Sequence, residues 1–516
     1  MKARWLSVLL FACGAAPNVV TPSAPTKIEG TARPRGSVTA DEAHDLFERL
    51  VTLVRRYHVF APATQRNLGK RWEDDLPRLR REMEAARTEA ELLVALSHFG
   101  NSLHDVHCTF RPAKRRPRAT LGFTAGVEAP FQFYVESIQE PSLPLTAGDL
   151  IEELDGVPAA RFLEEHDLVS NQNNKENIAL DVASWLSFRR SATEGQPARL
   201  LVKARSGGPS RTLDLTWRRK KSDDGPIFAL DYDDKHCLDN DPKTYGPYVL
   251  SARGSRLCIY TSTAPAFRDY PIVRHVSFAY DQVPHGVLAD WELVRANVSK
   301  AKGVILDVQD NHGGINPNFF LDWWVDRPFV DTFTFTRLDP TLLRGDDGEP
   351  NISSHTPALL AWYGEELARK KEGQRFTASR PFACKPDTCV WDNRYEPRHR
   401  VTKAPVALLL GPDCASTCDA VAFHFARQKV GPVVGRPSMA GFTTHRAHFE
   451  VVLRPGDPPL GTIDLAISFD TTGSTDPADS IEGVPIPLDA PFPRTFENHT
   501  KHDAMMVEKA IQLLKR

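Results

Sequence analysis

Val406-Ala-Leu-Leu-Leu-Gly-Pro-Asp-Cys-Ala-Ser-Thr-Cys-Asp419 is the stretch on which the reading of this chain turns. Val406–Leu410 is apolar at every position, the pattern of a buried strand. Gly411 and Pro412 interrupt it, and Ala420–Gln428 continues with helical character. The stretch therefore reads as strand, tight loop and helix, with Ser416 at the helix start. A serine there has a fixed backbone, an exposed hydroxyl and free helix N–H groups nearby, which suits a nucleophile beside a developing oxyanion. The same place suits a capping serine, the commoner use of that position. Residues elsewhere in the chain have to decide between the two.

The chain has 516 residues, room for roughly two to four domains. It is 41 % hydrophobic and 25 % charged, a globular balance that can fill a sizeable core. A net charge of −2, with no long basic or acidic run, argues against a nucleic-acid partner. No apolar stretch approaches the roughly 18 residues that span a membrane. The N-terminus has its own signature: Lys2 and Arg4 precede the apolar Trp5–Ala12, and the small residues around Cys13 follow. This reads as an export signal over residues 1–12. Leu10-Phe-Ala-Cys13 resembles a bacterial lipobox, from which it departs at Phe11. A lipidated Cys13 would begin a flexible tether over 13–38 and give the only membrane attachment expected, in a periplasmic or cell-envelope location. The other reading is a plain signal peptide cut nearby. Eight cysteines fit an oxidising compartment. Cys384 and Cys389 flank a turn-like sequence that could close a small disulfide loop, and Cys414 and Cys418 suit packing or a disulfide better than nucleophilic work. There are no paired Cys-x-x-Cys knuckles and no His-Glu-x-x-His helix, so neither a metal nor a cofactor is expected.

Four regions follow the tether. Residues 39–115 read as a helical domain, with capping-box patterns at Thr39-Ala-Asp-Glu42 and Thr88-Glu-Ala-Glu91 ahead of apolar residues at helical spacing. Residues 116–222 are β-rich: Phe131–Val135 alternates, Thr146–Pro158 is a strand with a tight Asp155-Gly156 turn, and Ala198–Ala204 can pair with Thr212–Thr216. This part resembles a PDZ-like domain, most of all at Ala147-Gly-Asp-Leu-Ile151, though without the usual Gly-rich carboxylate-binding loop. Residues 223–247 form a charged linker. From 248 to 516 apolar strands (257–260, 304–308, 406–410, 432–435) alternate with helical segments (291–301, 420–428), an α/β pattern.

Gly303-Val-Ile-Leu-Asp-Val-Gln-Asp-Asn-His-Gly-Gly314 is a second strand that runs into a loop, this one ending in two glycines, where a backbone N–H can closely approach a ligand. This element, the strand–Ala-Ser-Thr-Cys-Asp element and Val433-Val-Gly-Arg-Pro437 occur in the order found in one family, the C-terminal processing (tail-specific) serine peptidases and their tricorn-type relatives, which they resemble. Ser102-Leu-His-Asp-Val-His-Cys-Thr109 resembles that family's Leu-x-Asp-Gly-His-Thr segment, and Ile481-Glu-Gly-Val-Pro-Ile-Pro-Leu-Asp489 its Glu-Gly-x-Gly-x-x-Pro-Asp segment. The resemblance spans about residues 40–495. It implies a crotonase/ClpP-like α/β catalytic core with an N-terminal helical layer and a PDZ-like β-rich domain. It places the nucleophile at Ser416 and the oxyanion N–H groups at Thr417 and at Gly313 or Gly314.

The general base departs from the tail-specific pattern. The family's lysine falls, in Gly435-Arg-Pro-Ser-Met-Ala-Gly441, on Gly441. The tricorn-type branch uses a histidine backed by a glutamate, and their counterparts here are His107 and Glu482. A neutral imidazole suits the task near pH 7, and a carboxylate behind it fixes the tautomer and stabilises the imidazolium. His445 is a competing base, His104 lies one helical turn from His107, Asp419 fits a helix start for dipole reasons alone, and Asp105 and Asn311 read as structural. The expected protein is an exported serine endopeptidase with a Ser416–His107–Glu482 triad that cleaves extended or unfolded polypeptides through an acyl-enzyme. The alternatives are an inactive peptidase-like scaffold that binds peptides, motivated by the missing lysine and by Gln309-Asp310, and an esterase-type hydrolase.

Overall fold

The computed structural model describes residues 37–114, 119–189, 192–219, 245–280, 286–314, 320–344, 350–352, 357–378, 380–381, 394–442 and 445–516. The export signal, Cys13, Cys237, Cys384, Cys389 and nearly all of the linker and tether lie outside them.

The described chain opens with helices α1 (Ala40–Tyr57), α2 (Leu76–Ala85) and α3 (Glu89–Asn101), with a short helix at Pro62–Leu68 between the first two. Both expected capping boxes form. The Thr39 and Thr88 hydroxyls accept from the Glu42 and Glu91 amides, and the glutamates bond back to the threonine N–H groups. The apolar stripe of α1 (Leu46, Phe47, Leu50, Val54) packs on Leu79, Met83, Leu92 and Phe99. The chain then turns through residues 102–108 into strand β1 (Thr109–Pro112).

The β-rich part is an antiparallel sheet in the order β2 (Phe123–Glu128), β3 (Gln132–Ile138), β4 (Leu150–Leu154), β5 (Pro197–Lys203), β6 (Arg211–Thr216), with Val157–Pro158 paired to β4. The expected pairing across the Ser206–Pro209 turn is present, with Leu200 opposite Leu213. Helix α4 (Lys175–Ser187), started by the Asn174 side chain accepting the Asn177 amide, covers this sheet with Ile178, Val182 and Leu186.

The largest sheet runs β7 (Val249–Arg253), β8 (Leu257–Thr261), β9 (Ile272–His275), β10 (Val304–Asp307), β11 (Val406–Leu410), β12 (Val433–Gly435) and, beyond it, Ala490–Pro491. It is antiparallel through β7–β9 and parallel from β9 onward. Strand alternation explains the uniform apolar run in β11. Val406, Leu408 and Leu410 face a core with helices α5 (Gly286–Val298) and α6 (Thr417–Arg427), while Ala407 and Leu409 face Met506, Val507 and Ile511 of α7 (His502–Leu514). A hairpin of β13 (Arg446–Val451) and β14 (Gly461–Ala466) receives β1 as a third strand, so the N-terminal layer is stitched to the C-terminal half. The protein is thus a mixed α/β molecule of several sheets.

Two boundaries move. The helix expected over 291–301 occupies Gly286–Val298, and Asp290 within it is buried. Its carboxylate accepts the Ser255 and Arg256 amides and the Tyr280 hydroxyl. The helix expected from Ala420 starts at Thr417. Among the described residues no helix is long and apolar enough to cross a membrane.

Leu408 is fully buried at the centre of this sheet. Leu408→Ala is expected to lower unfolding free energy by about 2–5 kcal/mol in a denaturant titration, and Val249→Ala, at an exposed edge position, by under about 0.5 kcal/mol. Equal losses at the two positions would contradict this packing.

Candidate active site

Ser416 occupies the N-cap of α6, yet its hydroxyl makes no capping bond. Its backbone stands at φ 58°, ψ −122°. A side chain in that region of backbone space costs on the order of 1–3 kcal/mol and persists only where the surroundings enforce it. Here they do. Ser416 N–H donates to Gly441 O (3.0 Å), Ser416 O accepts the Ala420 amide (3.0 Å), and Ala415 N–H donates to Asn311 O (3.2 Å). A disulfide joins Cys414 to Cys418 across the serine, and Ser416 itself is half-buried. One turn along, the fully buried Asp419 bonds the Ser416 backbone at its own helix start and also reaches beyond it. Its two oxygens accept the Ala440 (3.1 Å) and Gly441 (2.9 Å) amides, which fixes the carbonyl that holds Ser416. Burial pushes the Asp419 carboxyl up to about 7 against the pull of these hydrogen bonds.

The loop after β10 lies against this turn, at the carboxyl end of the neighbouring parallel strand. Gly313 has φ +92°, and a Cβ on it would stand 2.8 Å from both Ser416 Cβ and Thr417 N, so a side chain is excluded. Its N–H donates to Asn311 Oδ1 (2.8 Å), and Asn311 is anchored in turn on His275 O (3.0 Å). Thr417 Oγ1 donates to Gly314 O (2.9 Å), tying the two loops together.

His107 approaches from the other side. It sits in the turn between α3 and β1, where Asp105 Oδ1 accepts its backbone N–H (2.8 Å) and lies 3.7 Å from Nδ1. Side-chain ligand atoms of Asp105, His107 and Glu482 all lie within 4.8 Å of one another. Glu482 Oε2 accepts the Phe442 amide (2.5 Å). Gly441 separates this group from the serine. Its carbonyl holds Ser416, and a Cβ on it would fall 2.2 Å from Val106 Cγ2 and 3.4 Å from His107 Cε1. Glycine at 441 therefore leaves room for the Val106–His107 turn. Burial, helped by the Arg446 charge, pushes His107 down to about 3, and burial raises Asp105 to about 6.

His445, His104 and His312 are placed elsewhere. His445 shares a hydrogen bond between its Nδ1 and Thr336 Oγ1 (2.9 Å), His104 bonds Gln172 O (3.0 Å), and His312 is exposed. Sequence reasoning missed a set of asparagines in Asn171-Gln-Asn-Asn-Lys-Glu-Asn177. Asn171 donates to the carbonyl of Cys108 (3.0 Å), and Asn173, Asn174 and Asn177 donate to those of Ala440 and Ser438. Asn67 adds a bond to Gly483 O (2.7 Å), next to Glu482. The density of asparagine just before a helix start was the available signal.

The sequence matches no protein-family model and no curated protein. Among solved structures the chain is similar to mature CPAF, at 16 % identity and a TM-score of 0.67 over 92 % of this chain and 98 % of that one. It is similar to mature CPAF complexed with lactacystin (15 % identity, TM-score 0.66, 92 % and 99 % covered) and to a serine-to-alanine mutant of CPAF (15 %, 0.66, 92 % and 98 %). At this identity the likeness is one of fold.

Gly441→Ala should push Val106 and His107 away from Ser416 and cut labelling of Ser416 by a fluorophosphonate about 100-fold, the scale of a 1 Å misplacement, with the circular dichroism spectrum unchanged. Undiminished labelling would show that the histidine does not depend on the space at 441.

Proposed function

We propose that this protein is an exported serine endopeptidase that cleaves extended or unfolded polypeptides through an acyl-enzyme on Ser416, with His107 as general base and Glu482 behind it. The observation that carries the reading is the enforced positive φ of Ser416 with its hydroxyl unused as a cap, because a structural serine has no reason to bear that strain. The grouping of His107 and Glu482 on the far side of Gly441 supports the base, as do the five ordered motifs. In the first step Ser416 Oγ bonds the scissile carbonyl carbon and its proton passes to neutral His107. His107 then protonates the leaving amine, and water repeats the cycle to release the acid. Thr417 N–H serves the oxyanion at the helix start, and Gly314 is the better partner of the two glycines because the Gly313 amide is engaged with Asn311. Residues 116–222, an antiparallel sheet covered by one helix, are read as a PDZ-like unit whose asparagines steady both catalytic loops. The Cys414–Cys418 disulfide accords with export, with lipid anchoring assigned to Cys13.

A fluorophosphonate probe should label Ser416 and no residue in Ser416→Ala, and His107→Ala should reduce labelling by about 100-fold or more. Normal labelling of His107→Ala would remove the triad and keep the nucleophile. Peptide binding with no cleavage, unaffected by Ser416→Ala, would leave only the inactive scaffold. Lactacystin, with which mature CPAF forms a complex, is a second probe for the same pair of variants.

The pH dependence follows from burial. His107 must be neutral to accept the serine proton, so activity is lost as pH falls through its pKa. With that pKa held near 3, labelling should persist at about pH 5, where a free imidazole of pKa about 6.5 is almost wholly protonated. An acid limb centred near 6.5 would contradict a buried, neutral base.

A further inference from the structure

Beside His107, and including its neighbour Asp105, lies a second set of chemistry-bearing side chains that the peptidase reading does not use. His58 ends α1 and is 3 % exposed, Asp105 is 4 % exposed and Cys108 is fully buried. Ligand atoms of the three lie within 4.8 Å of one another. The Cys108 sulfur is 3.6 Å from His58 Nδ1 and also contacts the Asp105 carboxylate. Cys108 is a free thiol.

We propose that His58, Asp105 and Cys108 form a binding site for one thiophilic divalent cation of the Zn²⁺ class, and that its occupancy withholds His107 from Ser416. The second half rests on the peptidase reading; the first does not.

Four observations carry it. The donor set of imidazole, carboxylate and thiolate is that of a borderline-soft cation, not of Mg²⁺ or Ca²⁺. Two ligands at about 2.0 and 2.3 Å from a tetrahedral centre sit about 3.5 Å apart, close to the 3.6 Å His58 Nδ1–Cys108 Sγ separation already present. One carboxylate and one thiolate neutralise a dication, so the closed site buries no net charge. The site is also supported and reachable. The Ala466 amide donates to Cys108 Sγ (3.1 Å), and the Ala466 backbone also bonds the His58 ring. A cavity of about 20 Å³ is lined by His58, Asp105 and Glu482 and also by the exposed Arg71. It reaches the His58 and Asp105 side of the set and is large enough for about one water. His107, nine-tenths buried, shares Asp105 with this set in an overlapping group with Glu482, and its Nδ1 makes no hydrogen bond among the described residues.

Binding replaces the Cys108 S–H bond with a sulfur–metal bond and releases that proton to solvent. Asp105 is the hinge of the effect. The carboxylate that would take the metal is the one that now accepts the His107 N–H, so loading the site loosens the turn that presents the base. A site made only of an S–H···N pair, with no affinity for metal, is the competing account of the same contacts.

The test uses the full chain with its disulfides intact, stripped with a chelator and titrated with Co²⁺ and then Zn²⁺. One equivalent of Co²⁺ should produce a near-ultraviolet thiolate-to-cobalt charge-transfer band, which Zn²⁺ abolishes, with release of about one proton per site. Cys108→Ser should remove the band and weaken Zn²⁺ binding at least about 10-fold. His58→Gln, a second variant in case the first does not fold, should weaken binding while altering the band. Ser416→Ala should bind as the parent does. If Ser416 labelling is also measured, one equivalent of Zn²⁺ should suppress it in the parent and not in Cys108→Ser. No charge-transfer band in the parent, or Zn²⁺ affinity equal in the parent and both ligand variants, would overturn the site. A band without loss of labelling would overturn the inhibitory half alone. A band in a chain that never labels would leave the metal site standing while the peptidase reading fell.

Discussion

The hydrogen bond from Ser416 N–H to Gly441 O is the contact on which the rest of the site depends. It closes a ring of constraints around a backbone conformation that the serine would not keep alone. Asp419 grips the amides of Ala440 and Gly441 from below, so the residue that orders the acceptor lies one helical turn from the residue that needs it. The parallel sheet makes this possible. Strands β10, β11 and β12 are hydrogen-bonded neighbours pointing the same way, and their carboxyl ends deliver the glycine loop, the serine turn and the Ser438–Gly441 segment to one place. Ligands of open α/β sheets gather at such ends for the same geometric reason.

His107, the proposed base, arrives from a segment far upstream, and its position is not set by the large sheet. It is set by β1 joining β14 and by the asparagines that precede α4. Asn171 holds the carbonyl side of the His107 turn, and Asn173, Asn174 and Asn177 hold the segment that carries Gly441. Each such bond contributes about 0.5–1.5 kcal/mol net. Together they are comparable to the strain at Ser416, so a few amide side chains suffice to keep two separately built loops in register.

What was legible in the sequence follows from range. Capping boxes at Thr39 and Thr88 could be read because donor and acceptor are three residues apart. Val406–Leu410 could be read because burial on both faces leaves no polar position. Asp290, inside α5, could not be read as buried, since a carboxylate fed by two amides and a tyrosine looks in sequence like a solvated one. Asp419 was read as a helix-start charge, and it does bond the Ser416 backbone there, but two further partners lie 21 and 22 positions away. His58 and Cys108, 50 positions apart, escape any search for metal motifs built on close spacing. Long-range polar contacts leave no periodic trace, and this site consists mostly of them.

The titration of the buried groups shows what that polar interior demands. Asp105 and Asp181, near 6, and Asp419, near 7, hold protons in the folded chain that the unfolded chain has already lost. Their contribution to stability is full below about pH 4 and declines as pH rises toward 6–7. His58, His107 and His275, near 3, do the opposite, since the unfolded chain binds their protons first. Their contribution is full above about pH 6.5 and is lost as pH falls toward 3. Between about pH 4 and 6.5 the two slopes oppose each other, so the fold tolerates a cluster of buried ionisable groups that neither kind alone would permit across that range. The consequence for chemistry is specific to His107. An imidazole kept neutral by burial is available to a serine over a wide acidic range, but it is a weak base until a carboxylate is brought against it. Glu482, held against Phe442 within reach of the ring, is the group whose approach would supply that strength at the moment of attack.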